Sequence, residues 1–378
     1  HPERHLRIVG VTGTNGKSTV TGMVRHILAV SGRHTAIMGT LGTWIGDEHI
    51  AGSRTTPEAT DLYALLSRMV TRGVTDLVME VSSHGLTLHR VAGLHFAAAG
   101  FTNLTQDHLD FHGTMQNYFD AKAQLFQRCD VAVINVDDEW GEKLRAQCVA
   151  ADVSTVALGA HGDVRMVGLT QSLARGLHIE LDGAVSASLD VPVVGEFNAA
   201  NAAMAVLLAE SVGVSALDAA NALRGFTGVP GRLEQVTVSR GTAFVDYAHT
   251  PDAVARVLET LADVGPSRII TVLGCGGDRD PSKREPMGRI AAALSDDLVV
   301  TDDNPRSEDP AAIRASVLAG ARGGRATVHE VGDRREAIRL ALSLAGPHDV
   351  VAVLGKGHES GQEVAGIVTA FDDRDVIR

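Results

Sequence analysis

A glycine-rich stretch near the start of the chain carries the residue types that bind nucleotide phosphates. It follows an apolar run at residues 6–11 and consists of Gly13, Thr14, Asn15, Gly16, Lys17, Ser18 and Thr19. In a strand–loop–helix unit of this kind, backbone N–H groups surround phosphate oxygens at the helix N-terminus. Lys17 would reach the β- and γ-phosphates, and the Ser18 hydroxyl would hold Mg²⁺.

The strict pattern G-x-x-x-x-G-K-[ST] has glycine where this chain has Val11. We still predict a phosphate-binding loop rather than a flexible turn with a surface lysine, because the other features occur together.

A second group of candidate residues follows two apolar runs further along the chain. Residues 77–81 predict a buried parallel strand that contains Glu80, and an unpaired buried carboxylate is costly. We therefore interpret Glu80 as a metal ligand beside the phosphate loop, in preference to a salt bridge or an exposed strand end. The segment 102–113 is rich in metal-capable side chains, His108 among them. The residues around Lys122 are apolar and aromatic, and by themselves they indicate a surface lysine with a buried stem.

These residues need a layered α/β framework to bring them together. Strand and helix patterns alternate from residue 6 to residue 135, which is typical of a mostly parallel sheet with helices on both faces. One helix is expected to begin near Thr56, whose side chain could cap it. Residues 164–189 alternate with a period of two and predict a small antiparallel β excursion.

An alanine-rich helix is predicted from residue 194 to about residue 212. It places Asn198 and Asn201 on one face of its first turn. The alternative interpretation is that Asn198 caps the helix and that Asn201 is incidental.

The second half of the chain predicts a separate domain with a site of its own. The stretch 228–231 is the best linker candidate, so we predict an ATP-binding domain at residues 1–229 and a Rossmann-like α/β domain at residues 230–378. Strands are predicted at residues 268–273, 298–301 and 349–354, and each runs into a polar loop with glycine or proline. Open α/β sheets bind ligands at the carboxyl ends of their strands, so these loops are expected to form a cleft site.

Composition limits the classes of protein that fit the chain. Of its 378 residues, 44% are hydrophobic and 21% are charged, which is typical of a globular protein of two or three domains. A net charge of −12 without basic blocks makes nucleic acid a poor partner. No apolar run approaches the roughly 20 residues that span a membrane, and no signal peptide is visible. Three scattered cysteines, Cys129, Cys148 and Cys275, exclude a disulfide or zinc framework and favour a cytoplasmic location.

Five motifs, spread in order over nearly the whole chain, resemble those of the Mur ligase family. They are residues 13–19 (GTNGKST), 80–84 (EVSSH), 103–110 (NLTQDHLD), 246–249 (DYAH) and 355–359 (GKGHE). The loop 303–306 (DNPR) narrows the resemblance to members that add meso-diaminopimelate, because lysine-adding relatives typically differ at the arginine position. The resemblance implies ATP-dependent formation of an amide between meso-diaminopimelate and UDP-N-acetylmuramoyl-L-alanyl-D-glutamate, in peptidoglycan precursor synthesis.

The implied reaction has two chemical steps. ATP phosphorylates the D-glutamyl carboxylate, and the amine of diaminopimelate then attacks the acyl phosphate and releases phosphate. The protein needs no nucleophile of its own. Catalysis would therefore rest on positioning and on charge stabilisation by Mg²⁺ and cationic side chains.

The resemblance also implies roles for individual residues around ATP and the metal. Lys17 and Ser18 would serve the phosphates and a first Mg²⁺ together with Glu80, and His108 would bind a second Mg²⁺. Lys122 matches a lysine that the family carbamylates with CO₂, which would turn the predicted surface lysine into an anionic partner of the metal site. Further positions implied around ATP are Asn198, Arg232, Asp246 and His249.

The binding residues for the other two substrates are implied in the same way. Contacts to the UDP-linked muramoyl-dipeptide are implied for Thr55, Thr56, Ser82 and Arg90. A glutamine that the family often has two positions before that arginine is Leu88 here. The diaminopimelate pocket is implied to consist of Arg279, Asp303, Asn304, Pro305, Arg306, Gly355 and Glu359. The alternative for Arg306 is that it caps the following helix or pairs with Asp302 on the surface.

The family normally has a further N-terminal domain of about 100 residues, the size of a small domain, that holds the uridine nucleotide. The 378 residues match the family without it, so we expect the uridine contacts to lie mostly outside them. We also expect a monomer. The alternative interpretations are a folylpolyglutamate synthase-like ligase, a non-catalytic ATP-binding scaffold and a simple phosphotransferase.

Overall fold

The computed structural model describes residues 1–52 and 54–378, which form two compact units. The first unit comprises His1–Gln171, Arg175–Pro192 and Glu196–Thr227, and the second comprises Ser172–Ala174, Val193–Gly195 and Gly228–Arg378. The last change of unit falls at the glycine- and proline-containing stretch 228–231. Within the described residues, no helix is long and apolar enough to cross a membrane.

The first unit is built on one large sheet. Its strands are β1 (Arg7–Thr12), β2 (Thr35–Gly39), β3 (Gly42–Ile45), β4 (Glu48–Ile50), β5 (Asp76–Glu80), β6 (Phe96–Phe101), β7 (Cys129–Asn135), β8 (Ser154–Leu158), β9 (Val164–Ser172), β10 (Gly176–Gly183) and β11 (Ala187–Val191). Its helices are α1 (Lys17–Val30), α2 (Ala59–Thr71), α3 (Ser83–Thr87), α4 (Leu109–His112), α5 (Met115–Ala123), α6 (Glu139–Ala150), α7 (Glu196–Ser211) and α8 (Ala216–Leu223).

The strands of this sheet follow the order β11-β10-β9-β8-β7-β6-β1-β5-β2-β3-β4. β1 pairs in parallel with both β5 and β6, so the carboxyl ends of these three strands meet at one edge. β1 and β5 are buried almost throughout, which explains why they are continuous apolar runs rather than alternating ones. The expected mostly parallel α/β fold is confirmed.

Antiparallel strands extend the sheet at both ends. β10 and β11 pair antiparallel, as predicted, and they continue the large sheet instead of forming a separate one. At the other end, β2, β3 and β4 form an antiparallel meander. The sequence did not predict this meander, because Gly39 and Gly42 interrupt the apolar pattern there.

The second unit has a smaller sheet and a hairpin. Its strands are β12 (Glu234–Val236), β13 (Thr242–Asp246), β14 (Ile269–Leu273), β15 (Asp297–Val300), β16 (Thr327–Glu330), β17 (Val350–Leu354), β18 (Gly361–Val364) and β19 (Ile367–Ala370). Its helices are α9 (Pro251–Asp263), α10 (Arg284–Leu294), α11 (Pro310–Ala321), α12 (Arg334–Leu344) and α13 (Asp373–Ile377).

The smaller sheet has the order β12-β13-β17-β14-β15-β16, and β18 pairs only with β19 among the named strands. β13, β17, β14, β15 and β16 run parallel. Alternate residues of β17 belong to two different apolar clusters, Val351 and Val353 to one and Ala352 and Leu354 to the other. Both faces of this sheet are therefore covered, and the predicted second α/β domain is confirmed.

Candidate active site

The glycine-rich loop joins the carboxyl end of β1 to α1 and needs glycine at two positions. Gly13 and Gly16 have φ angles of 143° and 85°, which residues with a side chain rarely adopt. A Cβ on Gly13 would lie 1.9 Å from Thr102 Oγ1, and one on Gly16 would lie 2.4 Å from Asn201 Oδ1. Strand, loop and helix thus stand in the geometry that phosphate binding requires.

The segment that follows β6 holds this loop by hydrogen bonds. Asn103 Oδ1 accepts from Asn15 N at 3.0 Å, and Asn103 O accepts from Thr14 N at 2.9 Å. Thr102 Oγ1 donates to Asn15 O at 2.6 Å, and Thr105 N donates to Thr14 Oγ1 at 3.0 Å. These contacts fix the direction of the loop backbone, and with it the direction of its N–H groups.

Val11, at the position where the strict phosphate-loop pattern has glycine, lies inside β1. It is fully buried and pairs with Glu80 of β5 and Gly100 of β6. The first positive φ in this region occurs at Gly13. A β-branched apolar residue therefore suits position 11 better than glycine does.

Two lysine side chains meet at the carbonyl oxygen of Gly13. Lys17 Nζ donates to it at 2.9 Å, and Lys122 Nζ donates to it at 2.7 Å. Lys122 is only 1% exposed, and its Nζ lies 4.5 Å from the centre of the Tyr118 ring. The interpretation of Lys122 as a surface lysine is therefore wrong. Burial and, second, the charge of Lys17 hold the pKa of the Lys122 amine well below its usual value.

Glu80 ends β5 as a buried carboxylate, 2% exposed. Its Oε1 accepts from Ser18 Oγ and from Thr40 N, both at 2.9 Å, and its Oε2 accepts from Thr40 Oγ1 at 3.1 Å. Gly39 leaves room for the carboxylate, since a Cβ there would lie 2.2 Å from Oε1. The alternative of an exposed strand end is wrong, and the hydrogen bonds offset the cost of burial.

Ser18 and Glu80 together have the donor set that Mg²⁺ prefers. This ion is held by one or two carboxylates, waters and substrate phosphates rather than by an all-protein cage. A hydroxyl and a carboxylate oxygen 2.9 Å apart beside the phosphate loop fit that pattern. Across residues 1–52 and 54–378, no group of three or more His, Cys, Asp or Glu side chains could hold a metal ion alone. Substrate phosphates and water would have to complete the coordination.

His108 precedes α4 and lies in a cluster of aromatic side chains. Its ring centre is 4.8 Å from that of His84 and 6.1 Å from that of Tyr118. Lys122 Nζ also lies over the Tyr118 ring, so His108 and Lys122 share this neighbour. Burial lowers the pKa of both His84 and His112, which favours neutral imidazoles in this cluster.

Thr56 lies at the carboxyl end of β5 and does not cap a helix. Its Oγ1 donates to Glu80 O at 3.1 Å and accepts from Ser82 N at 3.0 Å. α2 begins at Ala59 with Glu58 in the cap position, so the predicted capping role of Thr56 is wrong. The hydroxyl instead connects the predicted metal ligand Glu80 to Ser82 of the predicted substrate site.

Arg90 and Thr55 lie in the same region. Arg90 Nη1 donates to Thr56 O at 3.1 Å, and Arg90 Nη2 lies 2.9 Å from Glu58 Oε1. Thr55 Oγ1 is 3.1 Å from Thr40 Oγ1. Hydrogen bonds thus link all four residues predicted to contact the UDP-peptide to Glu80. Thr56 binds Glu80 directly, Ser82 and Arg90 bind Thr56, and Thr55 is linked through Thr40.

The first two turns of α7 bring a buried amide pair to the phosphate loop. α7 begins at Glu196, so Asn198 lies inside the helix and the capping interpretation is wrong. Asn201 Nδ2 donates to Asn198 Oδ1 at 3.1 Å, and Asn201 Oδ1 faces Gly16. Asn201 is therefore not incidental, since it packs directly against the loop.

In the second unit, a polar network joins the residues that follow β15 and β17. Asn304 Nδ2 donates to Glu359 Oε2 at 2.7 Å. Lys356 Nζ donates to Asn304 Oδ1 at 3.2 Å and to Glu359 Oε2 at 3.3 Å. Asp303 is buried beside them, and burial raises the pKa of its carboxyl against the opposing charges of Arg334 and Lys356. The buried Lys356 side chain thus lies between the carboxylates of Asp303 and Glu359.

Gly355 and Pro305 shape this network from the two strand ends. A Cβ on Gly355, which has a φ of 112°, would lie 2.6 Å from Asp303 Oδ2. Pro305 is buried, whereas Arg279 is exposed.

Arg306 stands at the edge of the network with a φ of 54°. Its Nη1 donates to Gly277 O at 2.6 Å, and its Nε lies 3.6 Å from Glu363 Oε2. Both alternatives for Arg306 are wrong, because Asp302 pairs with Arg314 and Asp309 caps α11.

Arg232, Asp246 and His249 lie near the carboxyl end of β13. Asp246 accepts two backbone N–H groups, at 2.6 Å and 2.7 Å. Burial raises the pKa of Asp246, and these hydrogen bonds and the charge of Arg232 oppose the increase. The Tyr247 ring lies 5.4 Å from the Arg232 guanidinium carbon and 4.5 Å from the His249 ring. Tyr247 thus links the cation to the imidazole.

Two charged residues of the second unit were not predicted as site residues. Lys356 is fully buried, and its position between two glycines after a buried strand was the available indication. Arg334 is also buried and binds the Asp373 carboxylate through Nε and Nη2, both at 2.7 Å. Arg334 lies in an amphipathic helix with other arginines, so nothing in its local sequence distinguishes it.

The fold and the loop geometry define the class first: a phosphate-loop α/β protein that joins a nucleotide-binding unit to a second α/β unit. Two family descriptions then match the chain, the Mur ligase middle domain at residues 11–209 and the glutamate ligase domain of Mur ligases at residues 231–357. The chain belongs to the Mur ligase family of ATP-dependent ligases.

Individual relatives agree with this assignment. The chain is 46% identical to the UDP-N-acetylmuramoyl-L-alanyl-D-glutamate--2,6-diaminopimelate ligase of Corynebacterium glutamicum, across 100% of this chain and 75% of the relative. A solved structure of a protein with the same name has a TM-score of 0.76 and 36% identity, and the match covers 98% of this chain and 77% of that one. The folylpolyglutamate synthase of Mycobacterium tuberculosis has a TM-score of 0.73 at 23% identity, over 94% and 89% of the two chains. This last likeness shows the fold alone.

Proposed function

We propose that this protein is an ATP-dependent amide ligase that adds meso-diaminopimelate to UDP-N-acetylmuramoyl-L-alanyl-D-glutamate in peptidoglycan precursor synthesis. The observation that carries the proposal is the network of Asn304, Lys356 and Glu359 beside Arg306. It offers fixed positive and negative groups to a ligand that has both. The name of the relative at 46% identity supports the same activity.

In the first step, the γ-phosphoryl group of ATP passes to an oxygen of the D-glutamyl carboxylate and ADP leaves. The N–H groups of the loop and Lys17 hold the phosphates in line with that carboxylate. In the second step, the amine of diaminopimelate attacks the acyl carbon and a C–N bond forms. The bond between the acyl carbon and the phosphate oxygen then breaks, and inorganic phosphate leaves. The amine loses a proton as the amide forms.

Ser18, Glu80 and His108 would hold Mg²⁺ in this site, together with Lys122 after carbamylation. When bound, the ion neutralises charge on the phosphates. The three hydrogen bonds from Ser18 and Thr40 fix the orientation of the Glu80 carboxylate.

Carbamylation of Lys122 is supported by its surroundings. The lowered pKa of this amine provides the neutral form that reacts with CO₂. A carbamate keeps one N–H group, which can still donate to Gly13 O as the amine does now. The carbamate carries a carboxylate-like group near Tyr118. The ring of His108 is a neighbour of the same tyrosine.

In the pocket for diaminopimelate, Arg306 would bind the far carboxylate through two charge-assisted hydrogen bonds. Glu359 would take the neighbouring ammonium, and Asn304 would add a donor. Arg279, Asp303, Pro305 and Gly355 would complete the pocket wall.

The remaining assignments stay predictions. Thr55, Thr56, Ser82 and Arg90 would contact the UDP-peptide, and Asn198, Arg232, Asp246 and His249 would contact ATP. We also propose that the protein works in the cytoplasm, because its proposed substrates are water-soluble, and that it works as a monomer.

Mass analysis of products tests the proposal. The protein is incubated with ATP, Mg²⁺, UDP-muramoyl-dipeptide and one amino acid at a time, and products and phosphate are measured. We expect a product whose mass equals the two substrates minus water, with one phosphate released per product, only when diaminopimelate is present. Glu80→Gln should lose this activity, and Glu142→Gln, which changes an exposed carboxylate of α6, should keep it. A phosphorylated product without an amide, or phosphate release that needs no amine, would contradict the ligase.

A further inference from the structure

The β18–β19 hairpin is bound to the loop that carries Arg306. Arg306 N donates to Glu363 O at 3.0 Å, and Ala365 N donates to Arg306 O at 2.7 Å. A bridge between Arg306 and Val364 completes this contact. Hydrogen bonds on both sides of Arg306 therefore hold its backbone at a φ of 54°, a conformation that costs energy for a residue with a side chain.

The same hairpin also fixes the neighbouring residues of the pocket. Glu363 N donates to Asn304 Oδ1 at 3.0 Å, and Gln362 Nε2 donates to Asp303 O at 2.8 Å. Every contact that Glu363 makes in this clamp uses its backbone. A substitution of its side chain thus leaves the clamp, and with it the fold of the loop, in place.

The Glu363 side chain faces the guanidinium of Arg306 rather than its backbone. Its Oε2 lies 3.6 Å from Arg306 Nε, and the two side chains are 39% and 23% exposed. The Nη1 of Arg306 already donates to Gly277 O. The remaining edge of the guanidinium, Nε with Nη2, is the fork that a ligand carboxylate would use. Glu363 stands beside that edge.

We propose that Glu363 tunes the affinity for the incoming amino acid: it is an internal carboxylate that neutralises Arg306 until the far carboxylate of that amino acid displaces it. The inference rests on the proposed function, since it takes that amino acid to be diaminopimelate. Two carboxylates on one guanidinium edge repel each other, so Glu363 must move away for the ligand to bind. It weakens binding of the correct amino acid. Glu363 stays paired with Arg306 when an amino acid without a far carboxylate enters.

The expected effect follows from the strength of the ion pair. Ion pairs that are as exposed as this one contribute little free energy. Their contribution corresponds to about a two- to fivefold change in an equilibrium constant. Glu363→Gln should therefore lower the KM for meso-diaminopimelate about two- to fivefold, with no change in the KM for ATP. Lysine has no far carboxylate and should gain nothing from the release of Arg306.

The experiment compares the unmutated protein, Glu363→Gln and a control in steady-state ligation with meso-diaminopimelate and with lysine. The control is Glu336→Gln, which removes an exposed carboxylate that pairs with Arg339 on α12 and should change neither KM. A lower KM for diaminopimelate in Glu363→Gln alone, without a gain for lysine, supports the inference. A purely structural contribution would be lost in the variant and would raise the KM.

Three outcomes overturn the inference: an unchanged KM, a raised KM, or an equal gain for lysine and diaminopimelate. In each of these the proposed function stands, because ligation of diaminopimelate still occurs. Absence of diaminopimelate ligation by the unmutated protein overturns the proposed function, and the inference falls with it.

Discussion

Replacing Lys122 with alanine separates the chemistry of the site from the stability of the fold. The side chain is 1% exposed, and the change removes three buried methylene groups, which at about 0.8 kcal/mol each lowers the free energy of unfolding by about 2–3 kcal/mol. Gly13 O keeps a donor, because Lys17 Nζ lies 2.9 Å from it. No buried acceptor is left unsatisfied, so the phosphate loop should keep its structure in Lys122→Ala.

The stability difference should depend on pH. In the unfolded chain, Lys122 has its ordinary pKa of 10.5, and burial lowers the pKa in the folded protein. Between the two values the unfolded chain binds more protons, so the free energy of unfolding of the unmutated protein rises with pH. Lys122→Ala lacks this slope. Urea denaturation in CO₂-free buffer from neutral to alkaline pH should therefore show a growing advantage of the unmutated protein.

Ligation should be affected far more than stability. We expect Lys122→Ala to lose most of its activity, and propionate or butyrate to restore part of it. These acids are shorter than the removed side chain. A free acid is not bonded to the shortened side chain and has to lie at van der Waals distance from it. Lys143→Ala is the matched control, since Lys143 also lies over an aromatic ring, 5.0 Å from the centre of Phe119, but is exposed. Full activity of Lys122→Ala without added acid would refute the carbamate assignment.

Two further substitutions and one titration have defined outcomes. Arg306→Ala should raise the KM for diaminopimelate by orders of magnitude, since losing such a charged contact costs about 2–5 kcal/mol; an unchanged KM in steady-state assays would exclude Arg306 from the pocket. Burial lowers the pKa of His358 to about 4, so NMR titration should find its imidazole neutral from pH 6 to pH 8, and its contribution to stability should fall as pH drops from about 6.5 towards 4. Val11→Gly should restore the strict loop pattern yet lower the free energy of unfolding by about 2–4 kcal/mol, as measured by denaturation. A stability equal to that of the unmutated protein would show that burial in β1 does not decide position 11.

Local patterns were enough to predict the framework. The phosphate loop follows from glycines and a lysine between an apolar run and a helical repeat, all within residues 6–30, because strand, turn and helix preferences act over short distances. The burial of Glu80 could be predicted from the apolar residues around it, and the structure confirms it. The second α/β unit could be predicted for the same reason, from apolar runs that end in polar loops.

The meander β2–β4 and the position of Thr56 could not be predicted in this way. Glycines that close tight turns between antiparallel strands look the same in sequence as glycines that end a strand. Thr56 has the residue type of a helix cap, but its hydroxyl binds Glu80 O and Ser82 N. A local preference gave way to a partner that only folding brings near.

By itself, the sequence determined which side chains can carry charge, where most strands and helices lie, and which strand ends bear polar loops. Only the tertiary structure decided the environment of each side chain. Lys122 has the local sequence of a surface lysine, and it becomes buried because α5 packs it against a carbonyl 109 positions away in the chain. Asn201 gains its role from Gly16, and Arg306 gains a counter-ion from Glu363 of the hairpin. Burial and pairing depend on residues distant in sequence, and packing of the elements is what brings those residues together.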